Sequence, residues 1–226
     1  TPTPGGKVET VQAEFEEPNG TIALNVCGVD LTMQTLGGRD YIVHGLAQGD
    51  FEPTTMRMFR EVALLHPELF YDVGANNGIY SIIYEKLTSG DVIAFEPMPD
   101  VRQVLKDNLK LNGSRAEVRP VAVSDHQNGA LLYVPTDEHG LLETSASLEA
   151  AFKLRHKGTI QVPAATTDAD GGAPRLIKVD VEGHEPAVLR GAAATIRMHR
   201  PVIFYEVIAE GRVAELNAGA AEHNDI

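Results

Sequence analysis

The 226-residue chain holds a single cysteine, Cys27, so no internal disulfide can form, and one thiol does not make a metal site. Basic residues are scarce: 19 Lys and Arg against 32 Asp and Glu leave a formal net charge of −13. A chain of that sign repels phosphate backbones and anionic lipid, so neither nucleic acid nor a membrane is expected as a partner. No apolar run approaches the roughly 18 residues of a membrane-spanning helix. The opening stretch TPTPGGKVETVQAEFEEPNG has no apolar core of the kind that marks a secretion signal. No internal repeat is evident. What remains is a core-forming chain, 43% apolar and with 21 glycines, for which a cytoplasmic location is expected. Position 1 is Thr rather than Met, which points to trimming or processing of the amino end.

Residues 1–19 are rich in Pro, Gly and Glu and read as an irregular arm. From Thr21 to Val43 the short runs TIALNV, LTMQT and DYIV, separated by turn residues, predict a small antiparallel meander. Pro53 opens an expected helix through about His66, with Met56, Phe59, Val62 and Leu65 on one stripe. Then strands alternate with helices. LFYDV, DVIAFEP, EVRPVAVS, LIKVDVEG and PVIFYEV read as five strands. Helices are expected over IYSIIYEKL, from Pro99 to Asn112 with Gly113 as the stop, and from Pro186 to Met198. That rhythm predicts βαβ units and an α/β, Rossmann-like, doubly wound and mostly parallel sheet. Residues 1–48 form the arm and meander of this division, and 49–226 the main domain. Residues 125–175 are too many for one crossover and are expected as an insertion over one end of the sheet. It holds the strand-like ALLYVP and TIQVP, a loop with Glu143, Thr144 and Ser145, and a short helix near Leu148–Leu154.

In an open parallel sheet, ligands bind beyond the carboxyl ends of the strands where strand order reverses. The first turn, from Asp72 to Gly78, carries Gly74 and Gly78, which let the backbone approach a ligand at a helix amino terminus. Glu96 ends the second strand, placed to accept hydrogen bonds from both ribose hydroxyls of a nucleoside. The close glycine spacing of the dinucleotide fingerprint is missing, and Asp72 is awkward beside a pyrophosphate. The charge argument favours S-adenosylmethionine, a sulfonium without phosphate, over NAD.

The run YDVGANNGIYS resembles motif I of the class I S-adenosylmethionine-dependent methyltransferases, and AFEPMPDVRQVLKDNLKLN resembles their acidic second-strand segment. LIKVDVEGHEPAVLRGA is similar to the K-x-D-x-E-G-x-E segment of the FkbM-type methyltransferases, with VAVSD, FEP and PVIFYE in matching order. The resemblance runs from about Gly49 to Val207. It implies O-methylation of sugars, polyketides or other secondary metabolites. It also implies that Gly74, Asn76 and Gly78 line the methionine part of the cofactor, with Asp72 near its amino group. Glu96 would hold the ribose, Pro97 and Met98 would flank the adenine, and Val121 and Ala122 would form the far wall of its pocket. Ser81 matches a small hydroxyl residue of the first helix turn, and equally suits a helix-surface serine. The class fold closes with an antiparallel hairpin after the fifth strand, and this chain is expected to stop before it. The fifth strand would then leave an edge in need of cover, one route to a homo-oligomer.

Strand alternation places Lys178, Asp180 and Glu182 on one face of the fourth strand. With Glu185 and Glu206 they make an acidic cluster beside His184. Methyl transfer to a hydroxyl needs alignment and removal of a proton. Glu182 is the first choice of base, Asp180 an orienting group and His184 another base. A second route stays open, in which Asp180, Glu182 and Glu206 hold Mg²⁺. Against both stands a structural account: Lys178 and Asp180 as an ion pair, Glu182 ordering a turn, and Glu185 favoured by the helix dipole. Glu52 ahead of Pro53 either closes over the cofactor or caps the helix. His126, His139 and His156 lack metal-ligand spacing and read as surface residues. The expected activity is S-adenosylmethionine-dependent O-methylation of a small-molecule or sugar hydroxyl. The rivals are a cofactor-binding module without catalysis and an NAD-dependent oxidoreductase.

Overall fold

The computed structural model describes residues 20–135, 144–150 and 156–207. At its centre is a five-stranded parallel sheet. Its strands are β3 (Leu69–Val73), β4 (Asp91–Phe95), β5 (Glu117–Arg119), β10 (Leu176–Val179) and β11 (Val202–Tyr205), in the order β11-β10-β3-β4-β5. The chain builds outward from β3 to β5, then returns to add β10 and β11 on the other side. The reversal point therefore lies between the carboxyl ends of β3 and β10. All four residues of β10 are buried, as suits a central strand covered on both faces.

Helices α3 (Ile79–Leu87) and α4 (Pro99–Leu111) make the crossovers on either side of β4. Pro99 starts α4 where a missing N–H costs nothing. Helix α2 (Pro53–Leu65) lies ahead of β3 and buries Met56, Phe59 and Ala63. Phe59 meets Phe70 of β3 and Tyr80 of α3 at ring-centroid distances of 5.3 and 4.9 Å.

Strands β1 (Thr21–Val26) and β2 (Val29–Gln34) form an antiparallel hairpin. Its edge is satisfied by side chains of α4: the amides of Thr32 and Gln34 donate to Asn112 Oδ1 and Asn108 Oδ1, both at 2.9 Å. Ile22, Val29, Leu31 and Met33 thus join the same core as Phe59, Ile82 and Leu105.

The expected third strand of the meander, DYIV, is instead the start of helix α1 (Tyr41–Gln48). Asp40 decides it, because its carboxylate accepts the Val43 amide at 2.9 Å as an N-cap. The run EVRPVAVS also divides. β5 ends at Arg119, Pro120 offers no N–H to continue the ladder, and β6 (Ala122–Val123) pairs in parallel with β9 (Ala164–Ala165) in a separate sheet. Strands β7 (Ala130–Pro135) and β8 (His156–Val162) form an antiparallel pair within the insertion, followed by a short helix α5 (Thr167–Asp170). Leu148–Ala150 are irregular, and the remainder of the helix expected near 148–154 falls outside the described residues. The helix expected over 186–198 is two: α6 (Glu185–Arg190) and α7 (Ala193–His199). They part at Gly191, where a β-carbon would sit 2.0 Å from the Ser124 carbonyl oxygen. Residues 208–226, where closing strands would follow, also lie outside the described residues. Among the described residues no helix is long and apolar enough to cross a membrane.

Candidate active site

Beyond the ends of β3 and β10 lies a cleft of about 610 Å³, counted with its open mouth. Its floor is the β3 turn. Gly74 adopts φ +77°, and a β-carbon there would lie 1.9 Å from the Asp180 carbonyl oxygen, so only glycine fits. The amides of Gly74 and Ala75 both donate to the Phe95 carbonyl, at 3.1 and 3.0 Å, which ties the turn to β4. Asn76 follows in the left-handed region at φ +51° and lines the cleft. Its Nδ2 donates to Thr144 Oγ1 at 2.9 Å, while its Oδ1 is buried without a partner.

Glu96, just past β4, opens onto the same cleft although only 7% exposed. Its Oε2 accepts the Asn76 amide at 3.0 Å and its Oε1 the Met98 amide at 2.9 Å. Burial pushes its carboxyl up to about 7, against the two amide bonds that favour the ion. Pro97, Val121 and Ala122 form one wall, with Phe95, Val123 and Leu132 behind them. The opposite wall is Asp180, Val181, Glu182 and His184, and Thr144–Ala146 with Leu148 roof the space.

The alternation expected for Lys178, Asp180 and Glu182 stops early. β10 ends at Val179, and Glu182 takes φ +58°, so the motif turns away from the strand. Glu185 holds that turn. Its Oε1 accepts the amides of Val181 and Gly183 at 3.0 and 3.2 Å, and the side chain is fully buried with its carboxyl raised by desolvation. The Glu182 carbonyl takes a 2.7 Å bond from Ser147 Oγ.

Lys178 Nζ, on a side chain 6% exposed, pairs with Asp180 Oδ2 at 2.9 Å and stands 4.4 Å from the centre of the Tyr80 ring. Burial works to raise the Asp180 carboxyl, but the Lys178 ammonium overrides it and holds it below the usual range. Glu206 hydrogen-bonds to Asp180 from the end of β11, and desolvation together with the Asp180 charge moves it up to about 7. Glu52, the residue before α2, accepts the Tyr80 hydroxyl at 2.7 Å; its side chain does not cap the helix.

The structure thus brings Gly74, Asn76, Glu96, Pro97, Val121, Ala122, Asp180, Glu182 and His184 around one cleft. Four other residues expected at the cofactor stand behind its lining. Asp72 is wholly buried and accepts the Ser81 hydroxyl at 2.6 Å, so the two serve each other beneath the turn. Gly78 lies against Leu105, where a β-carbon would meet Cδ1 at 2.6 Å. Met98 contributes its amide to Glu96, while its side chain packs with Val101 and Ala122 and faces a neighbouring cavity. The Mg²⁺ set of Asp180, Glu182 and Glu206 is not formed: among the described residues no three His, Cys, Asp or Glu side chains converge at ligand spacing. Asp180 is committed to Lys178 instead. His156 bonds the Ala150 carbonyl at 2.9 Å, His126 is exposed, and His139 lies outside the described residues.

None of Ser124, Thr144, Ser147, Leu148 and Glu149 is expected at the site from the sequence, although Ser124 falls in VAVSD and Thr144, Leu148 and Glu149 in the loop and short helix of the insertion. These come from the insertion and its approach, and nothing in their spacing marks them. Only the excess length between the third and fourth central strands signalled that a wall of the site would come from there.

A protein 31% identical over 127 residues, hexuronic acid methyltransferase AglP of Haloferax volcanii, matches 55% of this chain and 49% of its own length, so the chain spans about half of that relative. Methyltransferase FkbM from Methylobacillus flagellatus KT superposes over 80% of this chain and 48% of its own, with 18% identity and a TM-score of 0.47. Ribosomal protein L11 methylase from Lactobacillus delbrueckii subsp. bulgaricus does so over 76% and 69%, with 13% identity and a TM-score of 0.47. The model of the methyltransferase FkbM domain matches residues 72–222, two-thirds of the sequence and every element after β3, and the chain therefore belongs to the FkbM family of methyltransferases.

Proposed function

We propose that the cleft binds S-adenosylmethionine and that the protein methylates a hydroxyl oxygen on a sugar or similar small molecule. One observation carries the cofactor assignment. The described residues lining the cleft include three carboxylates, Glu96, Asp180 and Glu182, and no Lys or Arg. Such a wall suits a cationic sulfonium and disfavours the pyrophosphate of a dinucleotide. The groups present fit the cofactor. Glu96, pinned by two backbone amides, has lone pairs left for a ribose diol, and the unpartnered Asn76 Oδ1 is a ready acceptor on the floor.

S-adenosylmethionine, when bound, supplies a methyl group on positive sulfur, which departs as a neutral thioether when an oxygen takes the methyl. The chain's own work is then positioning and exclusion of water. Gly74 lets the floor approach closely, and Pro97, Val121 and Ala122 supply apolar surface that would flank the adenine. The roof of Thr144–Ala146 is fixed to the floor through Asn76. Effective alignment of this kind accounts for much of a displacement's acceleration.

The name of the Haloferax relative supports a sugar acid as acceptor class. Calorimetric titration tests the cofactor: micromolar binding of S-adenosylmethionine and S-adenosylhomocysteine by the wild type, at least tenfold weaker in Glu96→Ala, with no binding of NAD. Tight NAD binding would overturn it. Transfer of labelled methyl to p-nitrophenyl glucuronide and glucoside tests the acceptor. Label on the glucoside, which has only hydroxyls, establishes hydroxyl methylation.

A further inference from the structure

His184 sits in a hydrogen-bonded chain that the sequence does not reveal. Its Nδ1 lies 2.9 Å from Glu149 Oε1, on the insertion, and its Nε2 lies 2.9 Å from Ser124 Oγ, past the end of β6. His184 is one of the residues that line the cleft, with Asp180 and Glu182. A carboxylate can only accept, so Glu149 fixes the proton on Nδ1 and leaves Nε2 with a lone pair. Ser124 then donates its hydroxyl to Nε2. That hydroxyl has a second acceptor, Asp125 Oδ1, at 3.3 Å. Turning it to Asp125 frees the Nε2 lone pair without leaving a buried donor unpaired.

We propose that His184 is the base that takes the acceptor's proton and that Glu149 is its positioning residue. The inference rests on the methyl-transfer reading above. As the acceptor oxygen bonds the methyl carbon and the carbon–sulfur bond breaks, the hydroxyl proton passes to His184 Nε2. The imidazolium formed is stabilised by the Glu149 carboxylate, and it returns its proton to water on product release. Asp180, on the same wall, is less suited to this role. It is held ionised but paired with Lys178, which weakens it as a base. The Glu182 carbonyl accepts the Ser147 hydroxyl, which ties its turn to the insertion. His184, by contrast, couples a proton-accepting nitrogen to the Glu149 carboxylate, the arrangement in which a base keeps one tautomer through the reaction.

The test joins a spectroscopic and a kinetic arm. In protein carrying ¹⁵N-labelled histidine, with S-adenosylhomocysteine added, the His184 signals are assigned by their loss in His184→Asn. The wild type is expected to show a protonated Nδ1 and a bare Nε2. Glu149→Ala is expected to mix the tautomers, and Glu149→Gln, which still accepts a hydrogen bond, to retain the wild-type one. In transfer to the p-nitrophenyl glycosides, His184→Asn is expected to lower kcat about 10²-fold. Glu149→Gln is expected to lower it roughly tenfold through loss of charge alone, with the KM for S-adenosylmethionine unchanged in both. Unchanged calorimetric binding of S-adenosylhomocysteine shows that the variants fold. A proton on Nε2 in the wild type, or kcat within threefold of wild type in His184→Asn, overturns the proposal. A wild type that binds no S-adenosylmethionine instead overturns the methyl-transfer reading on which it rests.

Discussion

The α-carbon of Gly74 faces the carbonyl oxygen of Asp180 so closely that a β-carbon would stand 1.9 Å from it. The two residues lie just past the first and fourth strands of the central sheet, 106 positions apart, and meet where strand order reverses. The floor and one wall of the cleft are thus fixed to each other through backbone, and the β3 turn cannot move without moving the Lys178–Glu185 segment.

Gly74→Ala should therefore disturb both elements at once. The neighbour is backbone rather than a flexible side chain, and φ +77° is itself unfavourable for alanine. A loss of about 2–4 kcal/mol in urea unfolding is expected. A variant as stable as the wild type would show that the turn relaxes freely.

Glu96 should make the ligand-free protein sensitive to pH. Its folded value, about 7, lies above the ordinary 4.5, so the protonated form is the one that folding favours. That contribution is complete below about pH 4.5 and is lost as pH rises through 7. Glu96→Gln keeps a neutral side chain at every pH. Relative to this variant, the wild type is expected to lose about 3 kcal/mol across that window. Parallel stability–pH curves for the two proteins would remove Glu96 as the cause.

Glu185 supports the wall by bonding two amides, not by touching the ligand. Glu185→Ala leaves the Val181 and Gly183 N–H groups without their acceptor and is expected to cost about 3 kcal/mol. Glu185→Gln keeps an acceptor oxygen and suits a site where burial already favours the neutral acid, so its cost should be under about 1 kcal/mol. Denaturant titration of both variants separates this role from a dipole effect, which would penalise both alike.

Lys178 neutralises a buried site that holds Asp72 and Asp180. Lys178→Met strands that charge, and a loss of about 3–5 kcal/mol is expected in thermal or chemical unfolding. Adding Asp180→Asn should recover part of it. A double variant no better than the single one would show that the pair is not coupled.

Much of the centre was legible because its signals are local. The apolar run before a glycine turn, Pro99 at a helix start and the acidic Glu96 after β4 each act over a few residues, and each falls in the expected element. Three readings failed where a contact distant in sequence, or one residue's chemistry, decided between periods. DYIV has strand composition, yet the Asp40 side chain caps a helix there. EVRPVAVS reads as one strand, but Pro120 cannot donate, and the two halves join different sheets. The Pro186–Met198 helix breaks because Gly191 must pass close to Ser124.

The alternation of strands and helices, the acidic residues of the cleft and the glycines of its floor follow from charge and hydrophobic period, which are properties of the chain alone. Which of the expected residues line the cleft and which support it depends on how the elements pack. Asp72 and Ser81 turned to each other because a buried carboxylate needs a donor, and Asp180 turned to Lys178 for the same reason. The same packing set Glu149 of the insertion against His184 of the fourth-strand motif. No spacing encodes that pairing, because the two residues, 35 positions apart, are brought together by the fold and not by one regular element.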